Sequence, residues 1–337
     1  MSNLLDVKAL NVTFPTVDGE VRASVDLNFS LNRGETLAIV GESGSGKSVS
    51  SLAIMGLHNR ARTVISGEVI HHGTQGSTEL ISASDETVRK LRGKEMAMIF
   101  QDPMSSLHPY YSIGSQISEA WAIHNDGSKR DGMKRAIEML DLVEIPSAAK
   151  RAHEFPHQFS GGMRQRAMIA MALVNNPSLL IADEPTTALD VTVQAQVLQL
   201  LQNMQKEFNM GVILITHDLG VVAEFADRVN VMYAGKIVET AGVEDLYYRS
   251  MHPYTIGLLR SIPRVDQIDN HRLDAIKGAP PSLINLPMAC SFAPRCEYSS
   301  LVTGGLCTQS QPELEQKSAE HFARCFLPAE RIAEVRS

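Results

Sequence analysis

Apolar positions fall into short runs separated by polar turns. Residues 36–40, Thr-Leu-Ala-Ile-Val, form one such run without breakers, as do 96–100, 179–182 and 212–215. Runs this short predict strands buried on both faces. Residues 26–31 alternate, which predicts a strand with one buried face. Residues 4–14 alternate less cleanly, with Leu5, Val7 and Ala9 followed by Leu10, Val12 and Phe14. A leading antiparallel sheet over 4–14 and 25–31 is therefore predicted. Helical spacing predicts helices over 113–124, 129–142 and 191–208, the last with Val197, Leu201, Met204 and Phe208 on one face. Met163, Ala167, Ala170, Met171 and Val174 share a helical face that Asn175-Asn176-Pro177 stops. Residues 229–233 and 236–239 predict a hairpin across Ala234-Gly235. Residues 66–86 are polar and predict a hairpin and loop. His71 and His72 lie there; adjacent strand residues point to opposite faces, so solvated loop histidines are expected rather than a metal pair.

The strand 36–40 runs into Gly41-Glu42-Ser43-Gly44-Ser45-Gly46-Lys47-Ser48, which fits the phosphate-binding pattern G-x-x-x-x-G-K-[ST]. Glycines let successive N–H groups, through Val49, turn toward phosphate oxygens. Lys47 can reach the β- and γ-phosphates, and Ser48 can ligate Mg²⁺. Phe14 is either a flat partner for an adenine ring or a core residue. Gln101 follows the strand 96–100, at the sheet edge where α/β proteins meet ligands. Ser160 is a natural N-cap, and Gly161 and Gly162 bare the helix end behind it. The strand 179–182 ends in Asp183 and Glu184. Two carboxylates there are costly to desolvate without a cation: Asp183 suits Mg²⁺, and Glu184 suits polarising an attacking water. Asp190 closes the loop after them as an N-cap, and His217 follows the strand 212–215.

The chain has 337 residues, 44% of them apolar, 5% aromatic, with a net charge of −7. That size supports two domains or one with an extension. The acidic balance disfavours a broad nucleic-acid surface. The N-terminus has no long apolar stretch, so no signal peptide is expected, and the longest apolar runs fall far below spanning length, so a soluble chain is expected. The four cysteines, Cys290, Cys296, Cys307 and Cys325, all lie in the tail, with five, ten and seventeen residues between them. Clustering suggests a metal site over disulfides. No C-x-x-C is present, which weakens a zinc ribbon. Four thiolates can hold an iron–sulfur cluster, but spacing alone does not choose between a cluster, zinc and free thiols.

The set formed by the 41–48 loop, Gln101, Ser160-Gly161-Gly162, Asp183-Glu184, Ala188-Leu189-Asp190 and His217 resembles the nucleotide-binding subunit of ABC transporters over about the first 250 residues. The family's L-S-G-G-Q stands here as Phe159-Ser160-Gly161-Gly162-Met163. The segments 101–107, 157–166 and 183–194, with His252-Pro253-Tyr254-Thr255, resemble the dipeptide/oligopeptide/nickel importer branch.

The resemblance implies an α/β fold: a P-loop NTPase (RecA-like) ABC cassette over 1–250, with an antiparallel β subdomain and a helical subdomain at about 106–162. An importer-type extension with the cysteines follows over 251–337. It implies ATP and Mg²⁺, with Ser48, Gln101 and Asp183 as Mg²⁺ ligands and a [4Fe-4S] cluster in some members. It implies a second ABC ATPase subunit, two integral membrane permease subunits, an extracytoplasmic solute-binding protein acting indirectly, no nucleic acid, and a place on the cytoplasmic face of the inner membrane. ATP would lie between the P-loop of one cassette and Ser160-Gly161-Gly162 of the other, with Gln101 and His217 sensing the γ-phosphate. Import of peptides or a similar small solute, powered by ATP hydrolysis, is the expected function. The alternative is a soluble ABC-type ATPase acting on nucleic acid or ribosomes, and such proteins usually carry two cassettes or a coiled-coil insertion. A non-catalytic cassette is disfavoured by the intact Lys47, Asp183, Glu184 and His217.

Overall fold

A computed structural model describes residues 2–74, 76–102, 106–187, 189–262, 276–284 and 286–336. Ala188, and Pro103, Met104 and Ser105 of the 101–107 segment, lie outside the described residues. In chain order the main elements are β1 (Asn3–Thr16), β2 (Gly19–Asn32), β3 (Thr36–Val40), α1 (Lys47–Ile54), β4 (Val64–Gly73), β5 (Gly76–Glu79), α2 (Asp85–Leu91), β6 (Met96–Ile99), α3 (Ile113–Ala122), α4 (Lys129–Leu142), α5 (Gly161–Leu173), β7 (Leu179–Asp183), α6 (Val191–Phe208), β8 (Gly211–Ile215), α7 (Leu219–Phe225), β9 (Arg228–Tyr233), β10 (Lys236–Gly242), α8 (Val243–Arg249), α9 (Pro253–Arg260), β11 (Glu315–Ser318), β12 (His321–Ala323) and α10 (Ala329–Arg336). They form two compact units. The first comprises Met1–Asp6, Ser30–Thr36 and Ile70–Ile215; the second comprises Val7–Phe29, Leu37–Val69 and Thr216–Ser337.

In the first unit β6, β7 and β8 lie side by side and parallel, with Met98 opposite Ile181 and Ile181 opposite Ile213. Every residue of the three strands is buried, as their continuous apolar runs require. Helix α5 is buried more widely than one stripe: Met168, Ile169 and Leu173 join Ala167 and Ala170 in the core. The hairpin β4–β5 pairs His71 with Thr78 and His72 with Ser77. The expectation of two solvated histidines fails for His71, which is fully buried with Nε2 3.2 Å from the Ser178 hydroxyl. Burial holds its pKa down, to about 4. His72 points the other way, 2.7 Å from the Ser77 hydroxyl and 3.1 Å from the Asp6 carboxylate.

In the second unit β3 pairs parallel with β9, β9 pairs antiparallel with β10, and β12 joins β10 to β11. The turn between β9 and β10 uses Ala234 (φ 48°) and Gly235 (φ 80°), the left-handed pair that a two-residue hairpin favours. β1 and β2 are longer than predicted and neighbours in one sheet. Phe14 therefore lies within a strand that continues through Pro15 to Thr16, not at a strand end. The broken alternation of β1 has a physical cause. Ala9 has φ 47°, a local bulge that resets the phase so that both Val7 and Leu10 face inward. Asn28 Oδ1 accepts the Ala9 N–H at 2.9 Å, and Asn11 Oδ1 accepts that of Asp26 at 3.0 Å.

Candidate functional site

β3 delivers the chain into the glycine-rich loop, and α1 carries it away. A side chain at Gly41 (φ 152°) would stand 2.2 Å from the Met232 carbonyl oxygen, and one at Gly46 (φ 103°) would stand 2.1 Å from that of Ala23. Packing thus demands glycine at both positions, and a phosphate is not needed to explain them. A Cβ at Gly44 would meet nothing within 4 Å, so that position needs glycine only for its φ of 78°. The Gly235 N–H donates to the Ser45 carbonyl at 3.0 Å, which ties the loop to the β9–β10 turn. The buried Lys47 curls over the loop, its Nζ donating to the carbonyls of Gly41 (2.7 Å) and Glu42 (3.0 Å). Gly46 caps α1 without a side-chain bond, so the opening turn receives no side-chain acceptor from its own cap. Ser43, Gly44 and Ser48 are exposed, and Val49 is half-buried in the first turn of α1. Phe14 sets its ring edge against that of His58, 5.5 Å between centroids. His217 is exposed beside Asp218, which caps α7 by accepting the N–H groups of Gly220 and Val221.

Within the first unit, Asp183 ends β7 and is only 8% exposed. Glu184 follows with φ 46°, a left-handed conformation unusual for a non-glycine residue and a mark of functional loops. Its N–H is held by the Ile215 carbonyl at 2.9 Å. Its Oε2 accepts from the Gln101 amide at 2.8 Å and from the Thr187 hydroxyl at 2.9 Å. The two residues that sequence reasoning placed at strand ends are therefore in direct contact. Thr187 was missed as a partner. So was Gln165, a buried amide on α5 that donates to the Pro185 carbonyl and braces the loop from below. A polar residue on the buried face of a helix is the signal that would have found it.

Ser160 caps α5, accepting the Met163 N–H at 3.3 Å. A side chain on Gly162 would meet Val193 Cγ1 at 2.8 Å, so this glycine serves the packing of α5 on α6. Gly161 is exposed and has nothing within 4 Å on the side a Cβ would occupy. Asp190 is the N-cap of α6 and accepts the Val193 N–H at 3.0 Å.

Cys290, Cys296, Cys307 and Cys325 line one small apolar pocket with Phe292, Val302 and Leu327. All four are free thiols. Burial raises each of their pKa values, to about 11 for Cys296 and about 12 for Cys325. As they stand they pack as small neutral apolar groups. Among the described residues no three His, Cys, Asp or Glu side chains are grouped so as to hold a metal ion. The expected iron–sulfur cluster thus finds its four cysteines on one pocket but no support in the arrangement of the thiols.

The ABC transporter family profile matches residues 25–187, and that of the oligopeptide/dipeptide transporter C-terminal region matches residues 238–301. The chain is 48% identical to the oligopeptide transport ATP-binding protein OppD of Escherichia coli, over 98% of this chain and 94% of that one. The chain belongs to the ATP-binding proteins of the ABC oligopeptide transporters. It is therefore an ATPase cassette. Identity to OppD of Haemophilus influenzae is 49% over 98% of this chain and 99% of that one. A putative peptide import ATP-binding protein of Brucella melitensis is 49% identical, over 96% of each chain. Among solved structures, a dimeric post-hydrolysis state of the ATP-binding cassette MJ0796 bound to ADP and phosphate matches with a TM-score of 0.63 and 28% identity, covering 71% of this chain and 99% of that one. CbiO1 of Clostridium perfringens, part of an ABC transporter complex, matches with a TM-score of 0.61 and 28% identity, over 73% of this chain and 91% of that one. Both confirm the expected cassette fold. Among the described residues no helix is long and apolar enough to cross a membrane.

Proposed function

We propose that this chain is the ATP-hydrolysing subunit of an importer for peptides or a similar small solute. The observation that carries the reading is Glu184, held in a left-handed conformation with its carboxylate fixed by Gln101 and Thr187. A carboxylate fixed in this way can accept a proton from an attacking water. Lys47 and the rest of the loop 41–49 bind the phosphates, and Phe14 lies along the adenine. Ser48, Asp183 and the amide oxygen of Gln101 would hold Mg²⁺. Hydroxyl, carboxylate and amide oxygens are the hard donors this ion prefers, and a buried carboxylate such as Asp183 gains most from a cation. Bound there, the ion would neutralise charge developing on the phosphates.

Ser160, the exposed Gly161 and Asp190 face the nucleotide of a second cassette, and the dimeric relative bound to ADP and phosphate supports that pairing. His217 and Gln101 report the γ-phosphate. Tyr110 and Tyr111 are exposed, and Phe155 is 38% exposed close by, where the Ile113 N–H meets the Glu154 carbonyl. These aromatics suit docking onto two membrane permease subunits, with a solute-binding protein acting from the far side and the cassette peripheral on the cytoplasmic face. The division into a cassette over 1–250 and an extension over 251–337 belongs to the same reading. So does an iron–sulfur cluster in the tail, which four cysteines on one pocket support and their present spacing does not. Iron and acid-labile sulfide in anaerobically purified protein decide it.

The test of the function is affinity capture of the tagged chain from detergent-solubilised membranes, followed by reconstitution of the captured complex. Two polytopic proteins and a second cassette, with ATPase activity stimulated by peptide and its binding protein, are expected. Capture of ribosomes without membrane proteins would overturn the reading.

A further inference from the structure

The tail touches the phosphate-binding loop at Glu42. The Tyr254 hydroxyl, on the first turn of α9, accepts the Glu42 N–H at 2.9 Å. Arg295 grips the Glu42 carboxylate with both terminal nitrogens, at 2.6 and 3.0 Å. The Arg295 side chain is only 5% exposed, and its Nε donates to the Lys277 carbonyl at 3.0 Å. Its guanidinium lies 5.8 Å from the centre of the Tyr233 ring. Tyr233, Tyr254 and Phe292 pack ring to ring, with centroids 4.6–5.4 Å apart, beneath this contact. A two-pronged pair between a buried guanidinium and a half-buried carboxylate fixes direction as well as distance.

The contact matters because of where Glu42 sits. Its own carbonyl and that of Gly41 hold the Lys47 ammonium on the other side of the same peptide units. The Gly41–Glu42 segment is thus clamped from outside by the tail and from inside by the lysine. A carboxylate in a loop that binds phosphates would also repel them, and the repulsion falls only slowly with distance when water is partly excluded. Arg295 cancels that charge where it stands.

We propose that Arg295 and Tyr254 are positioning residues for the nucleotide, through which the C-terminal extension sets the affinity of the phosphate-binding loop. The proposal rests on residues 41–48 binding ATP. Neither residue touches the reacting atoms; both act through Glu42.

The test is Mg-ATP affinity of the full chain, with KM and kcat of the assembled transporter. Arg295→Gln is expected to weaken ATP binding about tenfold and to raise KM with kcat kept within about twofold. Adding Glu42→Gln to that variant removes the uncompensated charge and restores affinity to within about threefold of wild type. A brace with no electrostatic part would give no such rescue. A folded Arg295→Gln chain that binds ATP like wild type overturns the proposal, as does a double variant no better than the single. Lys47→Ala separates the two readings: if it leaves ATP affinity intact, the nucleotide assignment of the loop fails. Where Arg295→Gln does not fold, Tyr254→Phe carries the test, since it removes one hydroxyl from a buried ring. Unchanged affinity in that variant overturns the proposal.

Discussion

Glu184 spends backbone energy of order 1 kcal/mol to hold its left-handed turn. Glu184→Gln keeps the shape and an acceptor oxygen for Gln101 and Thr187 but removes the carboxylate proposed as the base. Hydrolysis should fall by roughly 10²–10⁴-fold with nucleotide binding retained, measured as phosphate release against ATP affinity. The type of residue was legible from two acids ending an apolar run; the strain and the hydroxyl of Thr187 were not, since neither alters the pattern. Histidine shows the opposite failure. His71 lies in a polar stretch, yet it is buried because the alternation of β4 turns it inward toward Ser178. His252, also buried, has its pKa lowered to about 3. Both are neutral in the fold and take up protons more readily once unfolded. Stability is therefore fully present above pH 6.5 and is lost as pH falls toward the folded values. By pH 5 each costs about 2 kcal/mol. Urea midpoints should drop between pH 7 and 5, and His71→Asn should flatten the part of that slope due to His71.

Helices were the most legible elements. α4 and α6 begin and end where the periodicity placed them, and Asp190 caps α6 as its sequence offered. Asp190→Ala removes the cap of α6 and should cost about 1 kcal/mol in unfolding free energy. Strand ends were less legible. β1 runs on through Pro15, and its phase slip at Ala9 read as weak alternation when it is a bulge pinned by Asn28 and Asn11. A side chain–backbone bond between residues about twenty apart leaves no periodic trace. Gly162 is the element-scale counterpart: Gly162→Ala drives a methyl into Val193 and should destabilise by about 1–3 kcal/mol in thermal unfolding.

At the scale of the whole molecule, the buried strands were evident from their apolar runs, but the second unit's dependence on its tail was not. Glu239 on β10 is wholly buried and accepts the N–H groups of Met251 (2.5 Å) and His252 (3.1 Å), with His321 Nε2 at 2.7 Å. His321 lies 82 residues away in the chain, which is why no local pattern announces the pair. Glu239→Ala leaves these groups without their acceptor and should cost about 3–5 kcal/mol, seen as a lower thermal midpoint and exposure of the Tyr233–Tyr254–Phe292 cluster to a hydrophobic dye. The cysteines illustrate the limit of composition: their clustering suggested a metal site without choosing its occupant, while only the folded chain shows all four lining one small apolar pocket.

Gly161 carries a consequence for inheritance. Among the described residues nothing lies within 4 Å of where a methyl group would stand there. A Gly161→Ala polypeptide would fold, escape proteolytic disposal and enter assemblies. Where two copies of this chain pair, each mixed assembly would hold one spoiled ATP face, so the altered allele would act dominantly. The same change at Gly162 would be recessive, because a chain that packs badly is removed before it meets a partner.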